Sequence, residues 1–375
     1  MDMNDDILGL VLERVGSHVS LIRAAAVCKR WRRAIADAGF LRRYRSLHAP
    51  SVAGYYRDGG GDHRFRVAPV FVPSSPSMLD ARHFSLDFLL PYGAGSWDII
   101  DSRGSLLLVH RRGSEPAFPD MVVCEPLTRR CVAISPPADF SDGRSLLMES
   151  FLVDGYNNKA GGRISVSNFR VRCVLYSGGH THTAMFTMGG DTGLLWTEKT
   201  IDHSAPQFGL SHSLGHAGGS WYFYVKGRTL IVLDGSTGDF SSSVLPPLED
   251  WDLYTWTYNF FVTSGRDGMP RIITVIGDTM KLFAKLDGCE WVLEKSVLLP
   301  KATQDLPGYQ PWFFNLPQNV LMRGEGFVVL SPMYGGPWPF SINLETMEVA
   351  PAAYMGLMMY RCELPWPPAL HACLD

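Results

Sequence analysis

The sequence predicts a small all-α module followed by a large all-β domain, the latter a five- or six-bladed β-propeller with a β-sandwich as the alternative. Three observations lead there. Hydrophobic residues make up 46% of the 375 positions and charged residues only 19%, which excludes a disordered chain and a coiled coil. Thirty-seven Gly and 25 Pro supply turns at the density that many short strands require. Helical periodicity is confined to the first 50 residues, which carry nine Lys/Arg against five Asp/Glu although the whole chain is at −3. The expected division is therefore a helical module over 1–48, a β domain over 52–361 and a C-terminal tail over 362–375.

The first helix is marked by Leu8, Val11, Leu12 and Val15 at i, i+3, i+4 and i+7, with Asp5 and Asp6 where the helix dipole favours acid. Gly16-Ser17 ends it. A second helix is expected after Ser17 through Val27, and a third over Cys28–Ile35, with Phe40 and Leu41 following a stop at Gly39. Three short helices bury too little surface to stand alone and need a partner. The basic set Lys29, Arg30, Arg32, Arg33, Arg42, Arg43 and Arg45 is interleaved with apolar residues, which favours a solvated helix face over a nuclear address or a nucleic-acid patch.

The order of these residues resembles the F-box family over 4–44: an acidic pair, Ile7-Leu8, Leu12 and Val15, a loop, Leu21, a small-residue run, then Val27-Cys28-Lys29-Arg30-Trp31-Arg32 and Phe40. The chain departs from the family at Met3-Asn4, where Leu-Pro is common, and at Gly16-Ser17, where a second Pro is frequent. The resemblance implies docking to a Skp-type adaptor and, through it, to the cullin and RING subunits of an SCF-type ubiquitin ligase. Ile7, Leu8, Leu12, Val15, Leu21, Val27, Cys28 and Trp31 are the candidate adaptor-binding residues, to be divided between the module's own core and its partner. An ordinary helical cap on the rest of the chain is the plainer reading.

From about residue 52 short β-type runs alternate with Gly, Pro, Asp and Ser clusters. One phrase recurs. It reads Gly104–Val109, Met121–Pro126, a turn at 127–130 and Cys131–Ile134; then Gly219–Val225, Thr229–Asp234, a turn at 235–238 and a strand near 242–245; then Gly326–Leu330, Phe340–Asn343, a turn at 344–346 and Met347–Val349. With intermediate units the starts fall near 104, 172, 219, 270 and 326, close to the ~40–50-residue pitch of propeller blades. Residues 63–100 are expected to add completing strands. Gly104–Leu108 with Val123–Arg130 also resembles the propeller-like region that follows the F-box in plant proteins, particularly those of grasses.

No catalytic constellation, metal site or cofactor site is expected. His212 and His216 have the i, i+4 spacing of a zinc helix, but Ser213 stands where Glu is needed and Gly218-Gly219 indicates a loop. His180-x-His182 has no third ligand and reads as a turn. Asp191-Thr192-Gly193 and Asp278-Thr279-Met280 fit turns between strands better than a protease dyad. Aromatic residues are the better functional candidates. Trp251 opens a stretch in which Tyr254, Trp256, Tyr258 and Phe260 alternate with polar residues, and Trp312, Phe313 and Trp338 lie near prolines. Trp251, Trp312, Phe313 and Trp338 are the candidate contacts to a target protein, with packing between blades as the alternative.

Cys28, Cys124, Cys131, Cys173, Cys289, Cys362 and Cys373 form an odd, scattered set read as reduced thiols. With an acidic N-terminus and no long apolar run, a soluble chain of the cytoplasm and/or nucleus is expected, binding neither nucleic acid nor membrane. The function implied is recruitment of a target protein to a ubiquitin ligase without catalysis by the chain itself. A non-degradative interaction scaffold is the alternative, and a propeller enzyme or sugar-binding protein fits least.

Overall fold

A computed structural model describes residues 5–57, 68–75, 79–92, 96–112, 120–135, 146–153, 164–177, 180–189, 193–202, 212–226, 229–246, 260–286, 290–315, 318–333, 338–352, 359–366 and 368. The helical module has four helices: α1 (Asp5–Glu13), α2 (His18–Val27), α3 (Lys29–Ala36) and α4 (Ala38–Leu47). Each break is set by a cap. The Ser17 hydroxyl accepts from the Ser20 amide, the Cys28 sulfur from Trp31, and the Asp37 carboxylate from Phe40 at 2.8 Å. The expectation of three helices fails at Asp37, which ends α3 and caps α4 in one step. Gly39 lies inside α4 and stops nothing.

Beyond the module the chain forms β1 (Val52–Arg57), β2 (Val70–Pro73), β3 (Trp97–Arg103), β4 (Leu106–Arg111), β5 (Met121–Glu125) and β6 (Arg130–Ile134). They are followed by β7 (Leu146–Val153), β8 (Arg170–Ser177), β9 (His180–Gly189), β10 (Gly193–Asp202), β11 (His212–Ala217), β12 (Ser220–Lys226), β13 (Thr229–Asp234) and β14 (Phe240–Val244). Next come β15 (Phe260–Ser264), β16 (Pro270–Ile276), β17 (Thr279–Leu286), β18 (Glu290–Leu298), the short α5 (Leu299–Thr303), β19 (Gln318–Gly324), β20 (Phe327–Pro332), β21 (Phe340–Asn343), β22 (Val349–Pro351) and β23 (Met359–Glu363).

These strands assemble into six sheets, five of four strands in sequential order and one of three in the order β2-β1-β23. The fold is a six-bladed β-propeller, and the sandwich alternative is excluded. The recurring phrase of the sequence supplies the second, third and fourth strands of a blade. The first strands, β3, β11 and β19, lie outside it. Four first strands each carry one extra residue relative to the second: Ile100 on β3, Met148 on β7, Leu214 on β11 and Leu321 on β19. The bulge on β11 requires glycine. Gly215 has φ +125°, and a Cβ there would come within 2.4 Å of the Val262 carbonyl oxygen on β15.

Three further expectations need correction. Residues 68–103 contribute β2 and β3, but Ala81–Phe84 and Asp87–Tyr92 between them are 3₁₀ turns. His212 and His216 are on strand β11 and His180 and His182 on strand β9, where a loop and a turn were expected; Gly218-Gly219 does turn the chain, between β11 and β12. The sheet runs through Glu363, so Cys362 and Glu363 belong to β23 and not to a tail. Asp278 does lie in a turn, Gly277-Asp278 between β16 and β17, with Thr279 opening β17, whereas Asp191-Thr192 lies outside the described residues.

The chain divides into two compact units, Met1–Gly178 with Thr183–Lys199 and Tyr360–Asp375, and Gly179–His182 with Thr200–Met359. In the first, α2 is shared between two cores. Leu21 and Ala25 face the helices, while Val19 and Ile22 pack with Ala53, Tyr56, Phe84 and Leu107 of the β region. In the second, Phe313, Phe314, Phe340 and Leu330 form the core between the last two blades.

Candidate functional site

Helix α1 is apolar on two sides. Leu8 and Leu12 are fully buried with Leu21, Ile35, Phe40 and Tyr44, so three of the candidate partner contacts, Leu8, Leu12 and Leu21, serve the module's own core. Ile7, Leu10 and Val11, spaced i, i+3 and i+4, face away from it and are 51%, 61% and 51% exposed. Val27 at the end of α2 is 67% exposed, and Cys28 beside it is exposed as well. An ion pair of 2.7 Å between Asp5 and Arg30 draws the start of α3 to the start of α1, which sets Val27 and Cys28 at the end where the α1 stripe begins. Val15 and Trp31 are half-buried, Trp31 against the module core.

The far end of α1 is fastened by polar contacts. The Tyr44 hydroxyl donates to the Val15 carbonyl at 2.7 Å, His48 Nε2 is 2.7 Å from the Glu13 carbonyl, and Arg43 Nε donates to the Glu13 carboxylate at 2.6 Å. Burial pushes the Tyr44 phenol up to about 12, so it stays a neutral donor. Its ring stacks on Trp366 at 6.0 Å and 11°, and His18 lies 5.3 Å from both rings. A segment more than 300 positions away in sequence thus completes the helical core. The basic residues take up solvated positions: Lys29, Arg32, Arg33, Arg42 and Arg43 are exposed, and Arg32 Nε donates to the Ala25 carbonyl.

What this arrangement can do is bind protein. An apolar stripe on a helix held at both ends presents surface whose burial is worth about 25 cal/mol per Å², with little further loss of backbone freedom.

Residues 5–48 match the F-box-like family model.

The match covers all four helices of the F-box-like domain and ends at His48, the cap of α4. No curated protein matches the chain. Solved structures similar to it include a functionally unknown protein from Desulfotomaculum acetoxidans, at 11% identity over 72% of this chain and 76% of that one, TM-score 0.39. Another is the β-propeller domain of Cps50 (Swd1) from Myceliophteria thermophila, at 10% identity over 68% and 72%, TM-score 0.36. A third is a Lactobacillus plantarum protein at 10% identity over 82% of both chains, TM-score 0.37. At these scores none informs function.

Leu10 and Val11 are absent from the candidate contacts read from the F-box-like pattern, although their spacing with Ile7 marks a second apolar stripe in the sequence itself. In the second unit, Phe313 is buried and cannot meet a target. Trp338 is half-buried, 4.9 Å from Phe313 and 5.4 Å from Phe340, and its indole N–H donates to the Pro307 carbonyl at 2.9 Å. Both pack blades. Trp312 is 44% exposed and rests edge-on against Phe313 at 4.7 Å, leaving a rigidly backed aromatic face. Trp251 and the aromatic stretch through residue 259 lie outside the described residues. Among the described residues no group of three or more His, Cys, Asp or Glu is placed to hold a metal ion.

Proposed function

We propose that the chain is the substrate receptor of an SCF-type ubiquitin ligase of the cytoplasm or nucleus, with the F-box-like helices docking a Skp-type adaptor and the propeller holding a target protein. The observation that carries this reading is the pair of stripes on α1. One set of apolar side chains closes the module's own core, and a second, Ile7, Leu10 and Val11 with Val27 nearby, is left for a partner. Cullin and RING subunits join through the adaptor, and the chain supplies proximity between target and ubiquitin carrier with no chemistry of its own. The phrase over Gly104–Leu108 and Val123–Arg130 supports a relationship to the plant, grass-type receptors. Trp312 is the anchor we assign to the target-binding side.

The test is made in cells. Depletion of the chain should raise the abundance of at least one protein captured by the wild type, and re-expression of the wild type, but not of Val11→Asp, should lower it again. Captured proteins whose abundance never responds would indicate a scaffold instead.

A further inference from the structure

Outside the docking surface, the first unit holds a thiol cluster. Cys124 on β5 and Cys131 on β6 are direct partners in the antiparallel register, and Cys362 on β23 is buried in the same core. All three are thiols in this structure. Side chains directly opposite on an antiparallel pair leave on the same face, with Cα atoms about 4.5–5.5 Å apart. That spacing lies within the ~4.4–6.8 Å that a disulfide accepts. The Cβ atoms of such a pair sit about 4.5–5.5 Å apart against ~3.5–4.5 Å in a disulfide, so the strands must draw together slightly and the bond is correspondingly easy to reduce.

We propose that Cys124 and Cys131 form a reversible intrachain disulfide when the protein meets a peroxide. The two thiols differ in access, which orders the steps. Cys131 is half-buried, whereas Cys124 is fully buried. Peroxide therefore reacts first at Cys131, where the thiol and hydrogen peroxide give a sulfenic acid and water. The Cys124 sulfur then attacks the Cys131 sulfur, the S–O bond breaks, and the Cys124 proton leaves with the hydroxyl as a second water. Two thiols are oxidised by two electrons and one peroxide is reduced. Burial pushes the Cys124 thiol well up, so the second step is slow and the sulfenic acid on Cys131 survives long enough to be trapped by a dimedone-type reagent. Reduction by a dithiol enters at the Cys131 sulfur.

The full-length chain is treated with hydrogen peroxide under native conditions, alkylated and digested with trypsin without reduction. Arg129 and Arg130 lie between the two cysteines, so the digest separates them unless they are linked. The expected product is one linked peptide pair containing Cys124 and Cys131, two hydrogens lighter than the separate thiols, restored by dithiothreitol and absent from Cys131→Ser. Peroxide-treated wild type in which Cys131 reaches the sulfinic acid while Cys124 remains open to alkylation after unfolding would overturn the proposal. So would a link between Cys124 and Cys362. Both readings come from the wild-type chain and do not depend on a variant folding.

Discussion

Stability of the first unit should fall as pH rises from 5 to 8, and Glu149→Gln should remove much of that fall. Glu149 on β7 sits just past the bulge at Met148, and Asp101 on β3 sits just past the equivalent bulge at Ile100. Asp101 is held by the amides of Leu152 and Ser102, each at 2.8 Å. Burial, with the Asp101 charge adding to it, pushes the Glu149 carboxyl from 4.5 to about 7; burial pushes Asp101 from 3.8 to about 6 against the pull of its two amide bonds and of Arg103. Both acids are thus protonated in the folded chain over a range where the unfolded chain has released its protons. The folded state binds more protons there, so the contribution is fully present below about pH 4 and is lost as pH rises through 6 and 7. At ~1.4 kcal/mol per pKa unit, Glu149 alone gives a ceiling of about 2–3 kcal/mol between pH 5 and 8, less whatever solvent reaches it. Urea denaturation followed at both pH values measures it. If the wild type and Glu149→Gln lose stability equally between pH 5 and 8, the buried-carboxyl account is wrong.

Other outcomes follow from the helical module. Leu12→Ala, which empties part of the core under α1, should cost about 2–5 kcal/mol and raise amide exchange throughout residues 5–47. Trp366→Ala should raise exchange in α2 and α4, where His18 and Tyr44 lose their ring contacts, while leaving the second unit's exchange unchanged. Asp37→Ala removes the cap between α3 and α4 and should cost about 1 kcal/mol, with Asp37→Asn retaining most of it; thermal melts of the three chains compare them.

Most of the architecture was legible because its signals are local. Turn residues recur between strands, and the recurring phrase tracks the second to fourth strands of a blade. The first strands β3, β11 and β19 escaped because each is interrupted by a bulge that breaks the period of two, as Leu214 does between Ser213 and Gly215. Helical spacing placed α1 and α2, but a single Asp37 dividing α3 from α4 has no periodic signature. The proposed docking surface was only half legible. Sequence spacing groups Val11 with Leu8, Leu12 and Val15, whereas the structure buries Leu8 and Leu12 and leaves Val11 exposed with Ile7 and Leu10; nothing in the sequence says which side Phe40 and Tyr44 will cover, because those contacts are long-range. The same holds for Phe313 and Trp338, whose neighbouring prolines suggested exposed loops: Phe313 is buried in the core, and Trp338 packs against it with ring contacts to Tyr309, Phe314 and Phe340.

The measurement that bears most directly on the proposed docking role is calorimetric titration of a purified Skp-type adaptor into the full-length chain, its Val11→Asp variant and Val244→Asp, an exposed site on β14. Binding by the wild type and by Val244→Asp with matching affinity, weakened at least about tenfold in Val11→Asp, is the predicted result. Adaptor binding that is absent from the wild type, or unchanged by a charge in the middle of the exposed α1 stripe, would contradict it.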